Sequence, residues 1–265
     1  MTTFHAFLLG IIQGLTEFIP VSSTAHLLIG QRLLGLPADD AMFSFLVIVQ
    51  LGTIVSLIVF YWRDLLRLVQ AFFARPFSTQ ENRLAWYIII ATIPALLAGY
   101  LLKDAVETLF KQPMLEASIR LFSAAVLLTL AEWLTKKNRS LESMTWLDAL
   151  IIGLFQIIAV VPGASRSGST ISGGMFRGFD RPAAARFAFL MSVPVMLAAG
   201  GYEALDVLKM PNLSQFLPLL AIGFVTAAIV GWFAIKWLID YLSKHSLYVF
   251  AAYCAVVGLI VFLLR

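Results

Sequence analysis

The chain has 265 residues, 60% of them apolar and 13% charged, and 19 Lys and Arg against 15 Asp and Glu leave it basic by four charges. Mean hydropathy is +0.90. A soluble domain of this length would have to hide many helices that are apolar all round inside one core, so the composition excludes a soluble enzyme and predicts an all-α polytopic membrane protein.

In chain order, Met1 to Leu9 carries neither a basic leader nor a small-residue cleavage site, and is expected to begin a membrane segment rather than a removable signal. Residues 4–34 then form two short apolar runs, Phe4–Phe18 and Ala25–Leu34, around Pro20-Val21-Ser22-Ser23-Thr24. Neither run is long enough to cross about 30 Å of hydrocarbon as a helix. A broken helix persists at membrane depth only where its freed backbone groups are covered by protein or line a wet cavity, so a re-entrant helix-loop-helix hairpin is predicted. Three spans follow, at 42–62, 84–102 and 117–134. A second interrupted segment, 146–176, divides around Pro162-Gly163-Ala164-Ser165-Arg166-Ser167-Gly168-Ser169-Thr170 and predicts a second hairpin. Spans at 187–205, 216–238 and 247–264 complete the chain. The last contains Cys254, the single cysteine, so neither a disulfide framework nor a cysteine metal site exists.

This division sorts the loop charge. Eleven Lys and Arg fall in the loops 63–83, 135–146, 177–186 and 239–246, and four in the loops and terminus of the opposite side. That bias places the basic loops in the cytoplasm and both termini outside. The first hairpin then enters from outside and the second from inside. Basic loops of this kind suit anionic membrane lipids, and the scattered basic residues exclude a nucleic-acid partner. Gln13 matches Gln156, Pro20-x-x-Ser23 matches Pro162-x-x-Ser165, and Phe43-x-Phe45-Leu46 matches Phe187-x-Phe189-Leu190. Residues 1–135 and 146–265 therefore read as two halves of one membrane domain, each a hairpin plus three spans. An odd number of crossings inverts the second half, the architecture of many transporters.

The hairpins place ionisable side chains in apolar sequence, where such groups mark function. Gln13 and Glu17 share a helix face, so their oxygens can converge on one cation, and hard ions such as Mg²⁺ or Ca²⁺ prefer oxygen ligands. Ser22, Ser23 and Thr24 supply more hydroxyls than capping alone requires. His26, three residues beyond Ser23, is spaced to bring an imidazole near that hydroxyl, as nucleophile and general base require. In the second hairpin Ser165, Arg166, Ser167 and Thr170 open a short helix whose N-terminus favours anions, and the planar fork of Arg166 matches phosphate oxygens in pairs. An ion pair between Arg166 and Glu17 is the structural alternative. Acid, cation, hydroxyls, imidazole and guanidinium are together the components of phosphoryl transfer on a substrate with an apolar tail. The same broken repeat would also suit a lipid-phosphate flippase or an ion-coupled transporter.

Gln13-x-x-x-Glu17 followed by Pro20-Val-Ser-Ser-Thr-Ala-His26, with Pro162-Gly-Ala-Ser-Arg-Ser-Gly-Ser-Thr170, resembles the two signature motifs of the undecaprenyl pyrophosphate phosphatases, the BacA/UppP family. The resemblance covers essentially the whole chain. It implies hydrolysis of the C55 isoprenyl pyrophosphate to its monophosphate at the bacterial inner membrane, recycling of the carrier for cell-wall polymers, and tolerance to bacitracin. The family's first motif allows Glu or Gln at the position of Gln13, so this chain has one carboxylate fewer than members with two. The family implies metal binding or base catalysis by Glu17, with Gln13 as a neutral ligand. It implies pyrophosphate binding by Arg166 with Ser165, Ser167 and Thr170 as donors, and action of His26 with Ser23 at the scissile phosphorus. Attack by Ser23 and attack by a water activated by His26 or Glu17 stay open, as does assembly as a homodimer, and a site facing the periplasm follows from the family alone.

Overall fold

The computed structural model describes residues 1–37, 39–102, 112–160, 164–207 and 213–265. Lys103, Lys111 and Lys209 of the loop-charge count, and Pro162 and Gly163 of the second motif, lie outside them. Among the described residues the secondary structure is helical, with one isolated bridge between Arg139 and Phe179. The α-helices are α1 (Thr3–Thr16), α2 (Ser23–Leu33), α3 (Asp40–Phe60), α4 (Trp62–Phe72), α5 (Gln80–Leu101) and α6 (Pro113–Leu134). The second half continues with α7 (Trp146–Val160), α8 (Arg166–Phe176), α9 (Arg181–Val207), α10 (Leu213–Lys244) and α11 (Tyr248–Leu263).

Four stretches among the described residues are long and apolar enough to cross a membrane: Ala41–Phe60, Gln80–Leu101, Pro113–Leu134 and Phe216–Lys244. Their outward faces present bare apolar side chains, with Leu97, Val126, Phe233 and, on α11, Val256 all more than half exposed. Water would penalise such a surface heavily and lipid does not, so the chain is a multi-pass membrane protein.

Both predicted interruptions exist. α1 ends at Thr16, four residues before Pro20, and α2 restarts at Ser23 with the Ser22 hydroxyl accepting from the Ala25 amide. Ser22 holds a left-handed φ of 68°, a conformation that non-glycine residues adopt at an energetic cost and that persists here at the hairpin tip. In the second segment α8 begins at Arg166 with the Ser165 hydroxyl accepting from the Gly168 amide at 3.2 Å. One break thus uses the same device as the other: a serine cap on the helix that follows it.

The first helix of each hairpin packs on a helix of the other half, α1 on α10 and α7 on α5. Glycines permit the approach. A Cβ added at Gly14 would lie 2.7 Å from Val230 Cβ, and one at Gly153 would press on the Ala91 carbonyl and come within 2.8 Å of Ala91 Cα. Gly153→Val is accordingly expected to destabilise the protein by about 1–3 kcal/mol, read as a lower thermal midpoint in detergent. An unchanged midpoint would show that the contact yields.

Segment 63–83, expected as a loop, contains α4. Leu65, Leu68 and Phe72 follow helical spacing, and Leu68 is buried while Arg63 and Trp62 stay exposed. It is an amphipathic helix whose apolar stripe is too short to register as a span. Ion pairs and hydrogen bonds link three of the basic loops to one another. Arg139 grips Asp148 with both terminal nitrogens at 3.1 and 2.7 Å, Arg177 reaches the same carboxylate at 2.6 Å, and Arg186 pairs with Asp64 at 3.0 Å. Close by in sequence, Arg181 holds Glu132 in a two-pronged pair at 2.6 and 2.7 Å.

Candidate active site

A cavity of about 190 Å³ lies where the hairpin tips meet, bounded also by α3, α5, α6 and α9. The start of α2 contributes Ser22, Ser23 and Thr24, and the start of α8 contributes Ser165, Arg166 and Ser167. Two helix N-termini therefore open on one space, and each brings first-turn amides and the positive end of a helix dipole. Ala95 and Val195, each following a proline inside its helix, complete the wall on α5 and α9. A proline at those places withholds one backbone hydrogen bond and leaves a carbonyl of the preceding turn without it.

Glu17 is the hub. Its side chain is 4% exposed, its Oε1 forms an ion pair with Arg166 Nη2, and its Oε2 accepts from Gln13 Nε2 at 2.7 Å and Ser23 Oγ at 2.5 Å. The tips are stitched together around it, with Ser167 Oγ donating to the Ile19 carbonyl at 3.4 Å and lying 3.2 Å from Ser165 Oγ. A guanidinium and two neutral donors thus partner a carboxylate that is nearly closed off from solvent.

Among the predicted residues, Glu17, Ser22, Ser23, Ser165, Arg166 and Ser167 line the cavity, and Gln13 joins through Glu17. His26 and Thr170 do not. Thr170 Oγ1 donates back to the Arg166 carbonyl at 2.8 Å, the ordinary habit of a threonine inside a helix. His26 Nδ1 donates to the Ser22 carbonyl at 2.9 Å, which in the neutral ring leaves Nε2 to accept from the Tyr253 hydroxyl at 2.7 Å. The ring also stacks on Tyr253 with planes 9° apart. The Ser23 hydroxyl meets Glu17 instead of the imidazole. Three-residue spacing puts Ser23 and His26 on neighbouring sides of a first turn, and packing against α11 decides where the imidazole turns.

Sequence reasoning passed over Arg120 on α6, which also lines the cavity and pairs with Glu116 at 2.7 Å. An arginine inside the apolar run 117–134 was the available signal. Gln50 and Gln156 line the cavity as well.

The oxygen donors here suit a hard cation in one specific respect. Gln13 Oε1 is buried and has no partner among the described residues, beside a carboxylate that can share it. Among the described residues no group of three His, Cys, Asp or Glu side chains could hold an ion by itself. A cation at Gln13 and Glu17 would thus need oxygens from a substrate, the usual habit of Mg²⁺ at phosphate sites.

Residues 6–260 match the family described as bacitracin resistance protein BacA. The chain is 40% identical to the undecaprenyl-diphosphatase of Chlorobium phaeovibrioides, covering 100% of this chain and 97% of that protein. The undecaprenyl-diphosphatase of Chloroherpeton thalassium is 42% identical over 100% of this chain and 96% of its own length. That of Mycobacterium ulcerans is 38% identical over 100% and 97%. All the residues around the cavity fall inside the matched region, and the chain belongs to the BacA family.

Proposed function

We propose that this chain hydrolyses undecaprenyl diphosphate to undecaprenyl phosphate and inorganic phosphate, returning the lipid carrier to cell-wall synthesis and giving tolerance to bacitracin. The observation that carries the reading is the convergence of both hairpins on one cavity, where a buried carboxylate holds a serine hydroxyl and an arginine at the same time. Ser23 Oγ attacks the terminal phosphorus as Glu17 takes its proton, and the bond from that phosphorus to the bridging oxygen breaks to release the lipid monophosphate. Glu17 passes that proton to the departing lipid phosphate, then takes one from the water that hydrolyses the phosphoserine and returns it to Ser23 Oγ as inorganic phosphate leaves. Gln13 orients the carboxylate through the oxygen that Ser23 meets, which fits the geometric requirement for a nucleophile with an oriented base. An incoming phosphate competes with Glu17 for Arg166, so substrate binding itself frees the base. Ser165 and Ser167 donate to phosphate oxygens alongside the α8 amides.

Gln13 and Glu17 would hold Mg²⁺ or Ca²⁺ with the diphosphate. When bound, the ion would supply positive charge against phosphate oxygens. EDTA is expected to reduce phosphate release at least about tenfold, with recovery on adding either ion. Indifference to the chelator would remove the cation from the reading.

The membrane arrangement belongs to the same proposal. Six spans and two re-entrant hairpins, in inverted halves 1–135 and 146–265, are supported by the crossed packing of α1 on α10 and α7 on α5. Residence in the bacterial inner membrane is supported by the charge bias of the loops, and a cavity open to the periplasm rests on the family resemblance alone. Phosphate release from undecaprenyl diphosphate by pure protein in detergent micelles tests the activity itself. A flippase or ion-coupled transporter would release none. Rapid-quench detection of a phosphoserine that disappears in Ser23→Ala tests the route, and a Ser23→Ala protein of undiminished rate would assign the attack to water.

A further inference from the structure

Two further polar side chains, Arg120 and Gln156, line the cavity beyond Glu17 and its hydrogen-bond partners. Arg120 is 8% exposed, within an otherwise mostly apolar α6, and its Nε donates to Glu116 Oε1 one turn earlier. Gln156, on α7, is 1% exposed, and both atoms of its amide are buried with no partner among the described residues. The matching glutamine, Gln13, spends its amide on Glu17, four residues on. At the same place after Gln156 stands Val160, so the helix provides no such acceptor. A buried amide left unmade on both sides is destabilising, and it survives in a fold where a ligand or water completes it.

Charge points the same way. Glu17 and Arg166 neutralise each other, whereas a diphosphate brings several negative charges spread over two phosphate groups. One guanidinium, drawn from its carboxylate, engages one of those groups. We propose that Arg120 and Gln156 form a second phosphate subsite, which holds the lipid-linked phosphate while Arg166 holds the terminal one. The proposal rests on the phosphatase reading above and assigns roles to two side chains that the reading leaves idle. The lipid-linked phosphate is the leaving group, so a guanidinium there offsets the charge that builds on it as the bridging bond breaks. The Gln156 amide N–H donates to the same phosphate, and its carbonyl oxygen accepts from a water that the phosphate holds. Glu116 opposes ligand binding, because its carboxylate shares the guanidinium that the phosphate needs.

The opposed roles of Arg120 and Glu116 separate this subsite from a pair that merely braces α6. The test measures KM and kcat for undecaprenyl diphosphate in detergent, with the thermal midpoint, for Arg120→Gln, Arg120→Lys, Glu116→Gln and Gln156→Leu. Arg120→Gln is expected to raise KM about tenfold or more and to lower kcat, and Arg120→Lys to do so less, since a point charge survives. Glu116→Gln is expected to lower KM. Gln156→Leu is expected to raise KM severalfold with little change in midpoint. A bracing pair would lose stability equally from either end, with KM moving in one common direction or staying within about twofold, and that result overturns the proposal. Should Arg120→Gln fail to fold, the opposite KM shifts of Arg120→Lys and Glu116→Gln decide alone. Glu17→Gln measured alongside separates two failures. If Glu17→Gln retains activity the whole cavity is displaced as the active site, and if it is inactive while Arg120→Gln is normal only the second subsite falls.

Discussion

Glu17→Gln is expected to lower kcat by about 10³-fold or more while KM stays level or falls. The replacement has the same shape, so the amide can still occupy the space between Gln13 and Ser23. What disappears is the negative charge that draws the proton from Ser23 Oγ and balances Arg166. Catalysis loses its base, whereas phosphate gains an arginine with no carboxylate competing for it, and the two constants separate. The substitution leaves the Arg166 guanidinium without its counter-charge in a site only partly open to solvent. Breaking a buried pair from one side costs about 3–5 kcal/mol, and partial exposure of Arg166 reduces that figure. A lower thermal midpoint that recovers when inorganic phosphate is added is therefore the expected companion. A Glu17→Gln protein within tenfold of the native rate would move the chemistry elsewhere.

Arg166→Ala should be nearly as severe, with kcat/KM about 10³-fold down and, unlike the first case, KM raised. Among the described residues the guanidinium is the one charged side chain that the second hairpin brings to Glu17, and without it a carboxylate 4% exposed keeps two neutral donors there. Alanine thus removes a phosphate ligand and a structural ion pair at once, and its loss of activity has two causes. Arg166→Lys keeps the charge and gives a cleaner result. An ammonium cannot present two parallel donors to a phosphate, so kcat/KM should still fall about 10²-fold with the midpoint largely preserved. If lysine restores full activity, charge alone is required and the planar fork has no special part.

The two predictions draw on residues that the sequence already singled out, and the reason is physical. A carboxylate, a guanidinium and a proline-serine break inside apolar runs are conspicuous because lipid penalises each of them, so position along the chain alone made Glu17, Arg166, Ser23 and Ser165 stand out. Arg120 and Glu116 are conspicuous on the same physical ground, since they lie within or at the edge of the run read as the span 117–134. Helix α4 was hidden for the opposite reason. Its apolar stripe covers one face over three turns, which hydropathy averaging reads as a loop. The basic loops were read as suited to anionic lipids, yet Arg139, Arg177 and Arg181 are tied to Asp148 and Glu132. Their acidic partners sit at the ends of apolar segments, and nothing in linear order couples residues 132 and 181.

His26 marks the boundary between what each level determines. Composition, hydropathy and the two interrupted motifs were enough to establish a multi-pass helical protein, its two hairpins and the side chains that carry charge, because lipid punishes exceptions one residue at a time. Which exceptions meet was decided by packing. Local spacing offered His26 to Ser23, but α11 places Tyr253 against the imidazole and the Ser23 hydroxyl turns to Glu17, 2.5 Å away. Likewise the contact between Glu17 and Arg166 spans 149 positions in sequence. Contacts at such separation are set by how helices seat on one another, and the tertiary structure alone brings both hairpins, α6 and α7 around a single cavity.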